Sequence, residues 1–544
     1  MSAGKRQSAA SVVAVGIFVS RVMGLVRERA VAHFFGVGPL ADVLQAAFKG
    51  PNLLQNLLGE GTISAAFIPV YSRLVEEGRK EDAGRFAGAI FGLLVCLAGG
   101  LALIGVLLAR PLVGLLTPGF VGDAARVAAG ELTVDRFELA VRAVRWIFPM
   151  TGLLVLSAWA LGILNSHRRF LLPYLAPVVW NGAIIAALVG AGLQWGGGET
   201  RVLIAACVGA LVGGALQFGI QLPGVLRLLG GLRPSLSIRA PGVRQALGAF
   251  GPVVAGRGVY QLSGYLDVLL ASLLAAGALS AMRYAQILYI LPISLFGLSV
   301  AASELPELAR LGETGRQRFL GRVEGSLRQM MFLLLPSVVG YLAFGYLLVG
   351  AIFLTGSFQQ AANLQVYAVL CAYTLGLPAT AVSRLLQNSF FALDDTRTPA
   401  KVAVLRVVLS VAVGVPAMFW FDRFAVDGSG GSLFFGAVGL ALGSAVGAWT
   451  ELAVLSYFLG KRMPSLRFPW RAWSRAAGLT LLALVGGAAV SLGLGSLPVE
   501  LHPIVRALTV LGAFAGLYLV AARAFRFSEL ETWLGRFGHK RPHR

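Results

Sequence analysis

Charge, cysteine and histidine are what this chain has least of. Only 13% of its 544 residues are charged, against 57% hydrophobic, and there are three cysteines and five histidines. With a mean hydropathy of +0.77, the chain has more apolar surface than a soluble core can absorb, which excludes a water-soluble globular protein and indicates membrane spans. Cys96, Cys207 and Cys371 stand singly in apolar runs far apart in sequence. They read as small hydrophobes in helices rather than as a disulfide or metal set. His33, His167 and His502 are isolated, and His539 and His543 belong to a basic tail. There is no G-x-x-x-x-G-K-[ST] phosphate loop and no H-E-x-x-H pair, so neither nucleotide hydrolysis nor a zinc site is expected, and no cofactor or metal. A cleavable leader is missing too. The first apolar run carries Arg21, Arg27, Glu28 and Arg29, with no small-residue cleavage site after a clean stretch, so it is expected to stay in the mature protein.

What is present is a succession of apolar runs of about 20 residues, the length a bilayer requires. They lie near 9–32, 40–71, 86–109, 140–164, 172–194, 202–226, 247–274, 280–303, 329–354, 362–392, 400–421, 434–459, 476–497 and 503–523. The runs are continuous and do not alternate with period two, which predicts helices rather than a barrel. The expectation is an all-α polytopic membrane protein of about fourteen transmembrane helices. The net charge of +21 would suggest nucleic acid in a soluble chain, but its distribution says otherwise. Basic residues crowd alternate turns, such as 73–85, 227–244 and 461–475, while the turns near 275–280 and 355–361 have none. The outward segment 111–139 balances Arg126 and Arg136 with Asp123, Glu131, Asp135 and Glu138. This positive-inside pattern predicts that both ends are cytoplasmic, with no nucleic-acid partner.

A charged residue at mid-bilayer costs about 2.5–3.5 kcal/mol on insertion scales, so such residues usually face a polar cavity. Here they gather in spans one, two, seven and eight: Arg21 and Arg27, Asp42 and Glu60, Arg257 and Asp267, Arg283. Arg29, Lys49 and Glu304 are taken as residues near span ends. An arginine-rich chamber suits an anion, and guanidinium forks suit phosphate in particular. Asp42 and Glu60 would hold the arginines in place. The glycines on either side of Glu60 predict a locally distorted helix, tolerable where freed backbone groups line a cavity.

The longest basic connection between early spans predicts a linker at 228–246. It separates a six-helix lobe at 1–227 from a second at 247–460, around a central cavity. Two extra C-terminal helices follow at 461–526, then a basic cytoplasmic tail at 527–544. A weak repeat, AAFIPVYSRL at 65–74 against AASELPELARL at 301–311, supports the division, and parallel halves are a common transporter plan.

The motifs SRVMGLVRE (20–28), DVLQAAFKGPNLLQNLLGEGTISAAFIPVY (42–71), TPGF (117–120), NSHRRFLLPYLAPVVWN (165–181) and FFALDDTRTPAKVA (390–403) run in order across the chain. Together they resemble the MurJ/MviN family, the lipid II flippases of the multidrug/oligosaccharidyl-lipid/polysaccharide exporter superfamily. The resemblance implies a transporter, not an enzyme. It would move undecaprenyl-diphosphate-linked peptidoglycan precursor from the cytoplasmic to the periplasmic leaflet of the bacterial inner membrane by alternating access, for cell-wall synthesis. The two extra helices would form a groove for the lipid tail, and the implied partners are that precursor, membrane lipids and the cell-wall synthesis machinery. By position, Arg21 and Arg27 match the family's cavity arginines, and Asp42 and Glu60 its acidic positions. With Asn52, Gln55, Arg257 and Arg283 added as substrate-binding candidates, and Asp267 as a third cavity acid, this is the expected site. Gln55 and Ile287 stand where many relatives carry arginine. Arg283, one helical turn before Ile287, would be the local replacement. A flippase for another polyprenyl-diphosphate oligosaccharide, or a drug exporter of the same superfamily, is the alternative. Exporters of cations should line the chamber with acids instead.

Overall fold

The computed structural model describes residues 3–194, 198–297, 300, 308, 310, 315–427, 433–465, 467–496, 498 and 501–537, with the side chains of 3–14, 60, 194, 255–263, 316 and 533–537 left aside. Among the described residues there is no strand, only one isolated bridge between Ala425 and Phe434. The chain forms two compact units, Met1–Ser280 and Ala281–Arg544.

The first unit holds α1 (Ala3–Phe35), α2 (Pro39–Leu58), α3 (Glu60–Ala66), α4 (Ile68–Glu76), α5 (Lys80–Leu107), α6 (Ala109–Leu116), α7 (Asp123–Ala128), α8 (Arg136–Ser166), α9 (Leu171–Gln194), α10 (Glu199–Gly219), α11 (Leu222–Leu229) and α12 (Val243–Ser272). Its centre is α8, against which α2, α5 and α10 pack. A helix that is apolar all round must be buried, and α8 obeys: Trp159 is wholly enclosed, its ring 4.8 Å from that of Phe91. α1 lies on α9, where a Cβ at Gly16 would come within 2.6 Å of Tyr174 Cβ. The segment predicted as a linker runs across α5. Ser235 N donates to Gly88 O at 3.2 Å, and side chains at Gly88 or Gly92 would collide with the backbone of Arg233 and Ser235.

The second expected span is not one helix but three pieces, broken at Gly59 and Phe67. Gly59 is the cause of the first break, because a Cβ there would sit 2.3 Å from Gln55 O. The backbone groups freed by the break are satisfied locally. Thr62 N and Ile63 N donate to Gly59 O at 3.1 and 3.0 Å, and the buried Thr62 hydroxyl donates to Leu57 O. Pro69, lacking a donor, falls in the first turn of α4, where none is needed. Gly59, one of the two glycines around Glu60, thus stands at the first break, as the sequence suggests, while Gly61 lies within α3.

The second unit continues through α13 (Ala278–Pro292), which passes into a single π turn at Ile293–Gly297, then α14 (Arg316–Phe353), α15 (Gln360–Ala392), α16 (Arg397–Phe421), α17 (Gly436–Arg462), α18 (Trp470–Gly495), α19 (Pro503–Ala524) and α20 (Ser528–Phe537). α16 and α17 approach along a seam of small residues, Gly439, Gly443 and Gly447. A Cβ at Gly443 would stand 2.5 Å from Gly414 Cα, so larger residues would separate the pair. The two extra helices, α18 and α19, dock on α14. Phe332, Phe344, Leu479 and Phe514 fill that contact, and Tyr518 hydroxyl donates to Phe332 O at 2.6 Å.

Eleven helices among the described residues are long and apolar enough to cross a membrane. The three other expected spans fall on α1, on α2 through α4, and on α12, the segments that carry Arg21, Asp42, Lys49, Arg257 and Asp267. The second copy of the weak repeat, 301–311, lies outside the described residues apart from Leu308 and Arg310.

The motif at 390–403 is a helix-to-helix turn. Asp394 takes a left-handed conformation (φ 56°) after α15 ends. Asp395 then accepts from Arg397 N, Thr398 N and Thr398 hydroxyl at 3.1, 2.9 and 2.7 Å, and from Arg462 at 2.9 Å. Those Thr398 and Arg397 bonds, with Arg462 beside them, hold its carboxyl below the ordinary aspartate value of 3.8. Replacing Asp395 with alanine is expected to cost about 1 kcal/mol, as loss of a helix cap does, read as a lower melting temperature in detergent at pH 7. A depressed carboxyl stabilises the fold fully above pH 3.8 and loses that contribution as pH falls further. The difference between wild type and Asp395→Ala should therefore persist from pH 8 to 5. A difference that vanished between pH 7 and 5 would contradict the assignment.

Candidate functional site

The intramembrane charges of the first unit are sorted by the fold into three settings. In the first, Arg27 is already neutralised. Its Nη2 donates to Glu28 Oε1 at 2.6 Å, while Gln45 Nε2 donates to the other carboxylate oxygen at 3.2 Å. The guanidinium of Arg27 lies 5.1 Å from the ring centre of Trp180. That indole is held by its own N–H, which donates to Ala210 O at 3.2 Å. A paired, stacked arginine is fixed in place and carries little net field.

In the second setting, Arg21 lines a cavity of about 660 Å³. The pieces of the broken span reach this cavity on one side, through Gln55 at the end of α2 and Gly61 and Ser64 on α3. Proline-bearing α9 contributes Pro173, Tyr174 and Pro177. α8 contributes Leu154, Ala158, Leu161 and Ser157, whose hydroxyl accepts from Gln217 Nε2 of α10 at 3.1 Å and from Gln221 Nε2 at 2.7 Å. The described lining thus sets Arg21 together with the neutral polar side chains of Ser20, Gln55, Asn56, Ser64 and Gln217.

The third setting is a buried ion cluster formed by α2, α8 and the loop between α6 and α8. Arg136 Nε and Nη2 donate to the two oxygens of Asp123 at 2.5 and 3.2 Å, and the guanidinium is 4.3 Å from the Phe120 ring centre. All of this is inaccessible to solvent: Arg136 and Asp123 are 1% and 0% exposed. Arg136 Nη1 is 3.9 Å from Asp42, whose carboxylate in turn accepts from Gly277 N and Ser280 N at 2.6 and 2.8 Å. The TPGF turn completes the enclosure. Gly119 N donates to Ser272 hydroxyl at 3.2 Å, and a Cβ at Gly119 would be 1.9 Å from Ser272 O. Only glycine fits there.

The remaining expected residues are placed as follows. Asn52 and Gln55 are half-buried on α2, three residues apart, and Asp267 is half-buried on α12. The backbones of Glu60 and Arg257 lie in α3 and α12, and their side chains are outside the described residues. In the second unit Arg283 and Ile287 are half-buried one turn apart on α13, and Gln286 between them donates to Tyr373 hydroxyl at 2.9 Å. The structure thus brings Arg21 and Gln55 to one cavity, while Arg27 and Asp42 sit in separate paired clusters. Asp123 and Arg136 were missed as site residues because the charges of 111–139 balance, a pattern that reads as a solvated loop. Lys49, read as a span-end residue, lies in the middle of α2, where its carbonyl accepts from Tyr265 hydroxyl at 2.9 Å and its ammonium lies 5.6 Å from that ring's centre.

A family model described as "Lipid II flippase MurJ" matches residues 31–500. The protein named "Lipid II flippase MurJ" from Burkholderia cenocepacia is 30% identical over 485 residues, 88% of this chain and 87% of its own. Among solved structures, one titled "Lipid II flippase MurJ, inward closed conformation" superposes with a TM-score of 0.72 at 21% identity, over 94% of this chain and 98% of its own. An inward-facing multidrug resistance MATE family transporter of the MOP superfamily gives a TM-score of 0.62 at 16% identity, over 84% and 98%. At those identities the two structures speak to the fold.

The buried cluster generates a test. Removing one member of a buried ion pair strands the other, at a cost of about 3–5 kcal/mol. Arg136→Gln and Asp123→Asn should each lower the melting temperature in detergent strongly, and the double variant should fall well short of the sum. Additive effects, or a single variant that melts as wild type does, would show that the pair does not hold this face together.

Proposed function

The chain belongs to the MurJ family of lipid II flippases, and we propose that Arg21, which lines the cavity of about 660 Å³, is a contact for the diphosphate of the lipid it moves. The protein is a multi-pass membrane transporter that carries lipid II from the cytoplasmic to the periplasmic leaflet. The observation that supports the proposed site is that Arg21 and the neutral donors Gln55 and Gln217 line one cavity. An exposed arginine within a shell of Ser157, Gln217 and Gln55 can fork onto phosphate oxygens. Asn52 and Gln55 supply neutral donors on the same helix, while Arg27 is held in place by Glu28 and Trp180 rather than offered as a first contact. Asp42 keeps the turn at 277–280 tied to α2. Glu60, Arg257 and Asp267 complete the proposed site as its remaining charged members.

The wider arrangement belongs to the same proposal. The lobes are 1–227 and 247–460, the connection is 228–246, and 461–526 carries the lipid tail. The membrane is the bacterial inner membrane, crossed fourteen times, with the 527–544 tail and the N-terminus in the cytoplasm. The cell-wall synthesis machinery is the partner that consumes the product.

Three outcomes check this reading. Depletion of the protein should make lipid II accumulate in the inner leaflet, and wild type but not Arg21→Ala should restore its export. Arg21→Lys should restore it only in part, since the fork is lost. Accumulation of a different lipid-linked precursor, or full export by Arg21→Ala at matched abundance, would overturn it. Arg283→Ala should also abolish export, and adding Ile287→Arg should recover it; growth of the single variant at the wild-type rate would reduce Arg283 to an interfacial charge. For topology, cysteines introduced at Ala129 and Gln359 should react with an impermeant reagent from outside, and one at Leu236 should not. Labelling at 236 in intact cells would contradict the orientation.

A further inference from the structure

At one end of α18 and α19 lies a second cavity, of about 760 Å³, whose lining includes Arg328 from α14, Arg471 and Arg475 from α18, and Arg526 from the turn after α19. The only acid among the described lining residues is Glu529. None of the four arginines has a carboxylate within 4.0 Å among the described residues, in contrast to Arg27, Arg136 and Arg406, each of which is paired. Like charges gathered without partners repel one another, so the arrangement is complete only with an anion.

Two features say what sort of anion. Beside the pocket, Phe468, Trp470 and Trp473 form a cluster with ring centres 4.9–6.0 Å apart, and Trp470 is 67% exposed. Exposed tryptophan marks the headgroup level of a membrane. From there the pocket opens onto hydrocarbon-facing surface. Leu482 and Phe525 line it at 56% and 68% exposure, and Leu481 and Val485 continue the apolar face along α18. An occupant must therefore carry negative charge at headgroup depth and an apolar chain below it. The backbone adds a third sign. Arg526 occupies the left-handed region (φ 52°) at the turn where Phe527 N donates to Ala522 O at 3.0 Å, a position that favours glycine. Arg526 lines the pocket with the other three arginines despite that backbone conformation.

We propose that this pocket binds the phosphate of an anionic membrane phospholipid, with Arg471 and Arg475 forking onto the phosphate and an acyl chain lying along Leu482 and Phe525. The site belongs to α14, α18 and α19 and does not depend on the cavity assigned to the cargo. Its effect is to tether the two extra helices, at their basic ends, to the leaflet they face.

The test uses the full-length protein in detergent, observed by native mass spectrometry with added phosphatidylglycerol, phosphatidylcholine or inorganic phosphate. Wild type should retain one more phosphatidylglycerol than the Arg471→Gln/Arg475→Gln variant, whose apparent affinity for it should fall at least about tenfold, with an unchanged melting temperature. Arg328→Gln should fall between the two, and the exposed pair Arg79→Gln/Arg85→Gln should match wild type. Phosphatidylcholine should not be retained, and millimolar inorganic phosphate should not displace the lipid. Equal retention by the double variant, or equal retention of phosphatidylcholine, would overturn the proposal. Displacement by inorganic phosphate would assign the pocket to a soluble phosphate, and preferential occupation by a lipid diphosphate would assign it to cargo; either result would overturn the resident phospholipid.

Discussion

Charge that enters hydrocarbon must be answered, and the rest of this structure is arranged around how each charge is answered. At about 2.5–3.5 kcal/mol per residue on insertion scales, unanswered arginines would not persist in helices of this kind. Arg27 is met by Glu28 and the face of Trp180, Arg136 by Asp123 and Asp42, and Arg406 by Glu451 at 2.7 Å, with Gln387 on the other carboxylate oxygen. The carboxylates of these pairs are buried, and Trp180, Asp42 and Glu451 tie the arginines to elements distant in sequence. Arg21 lines a cavity with Gln55, Ser157 and Gln217, and it is there that we place the contact with the substrate.

The break at Gly59 gives the same constraint a mechanical side. An unbroken helix through 40–71 would carry every backbone group in its own ladder and would present Gln55 and Ser64 on fixed faces. Dividing it into α2, α3 and α4 frees backbone groups that Thr62 and Gly59 then satisfy, and it brings residues from both sides of the break to the Arg21 cavity. The neighbouring α8 is one continuous helix, buried along most of its length from Ile147 to Leu164. A span divided in this way, with a weaker backbone ladder, is the element that can change shape at low cost.

Much of this was legible in the sequence. Hydrophobic run length predicted the helices, and the glycines flanking Glu60 predicted the distorted span. The motif at 390–403 reads in the structure as a left-handed Asp394 followed by a capping Asp395. What escaped were contacts whose partners are distant in the chain. Nothing local says that Gly119 must meet Ser272, or that Asp42 must receive the amides of Gly277 and Ser280. Arg136 and Asp123 were hidden for a related reason: balanced charge in a connecting segment has the same composition whether it is solvated or folded inward. Lys49 illustrates the cost of judging depth from span ends, because the break at Gly59 shortens the helix around it and leaves it central. The basic ends of α18 and α19 were read as topology alone, and only packing against α14 shows that four arginines share one pocket.

The account rests most heavily on Arg21 meeting the lipid's diphosphate during transport. The direct measurement is the fraction of lipid II accessible to an externally added lipid II-cleaving enzyme in cells expressing wild type, Arg21→Lys or Arg21→Ala at equal membrane abundance. The account predicts a graded loss in that order, with the alanine variant at the level of depleted cells. Equal accessibility in all three would contradict it.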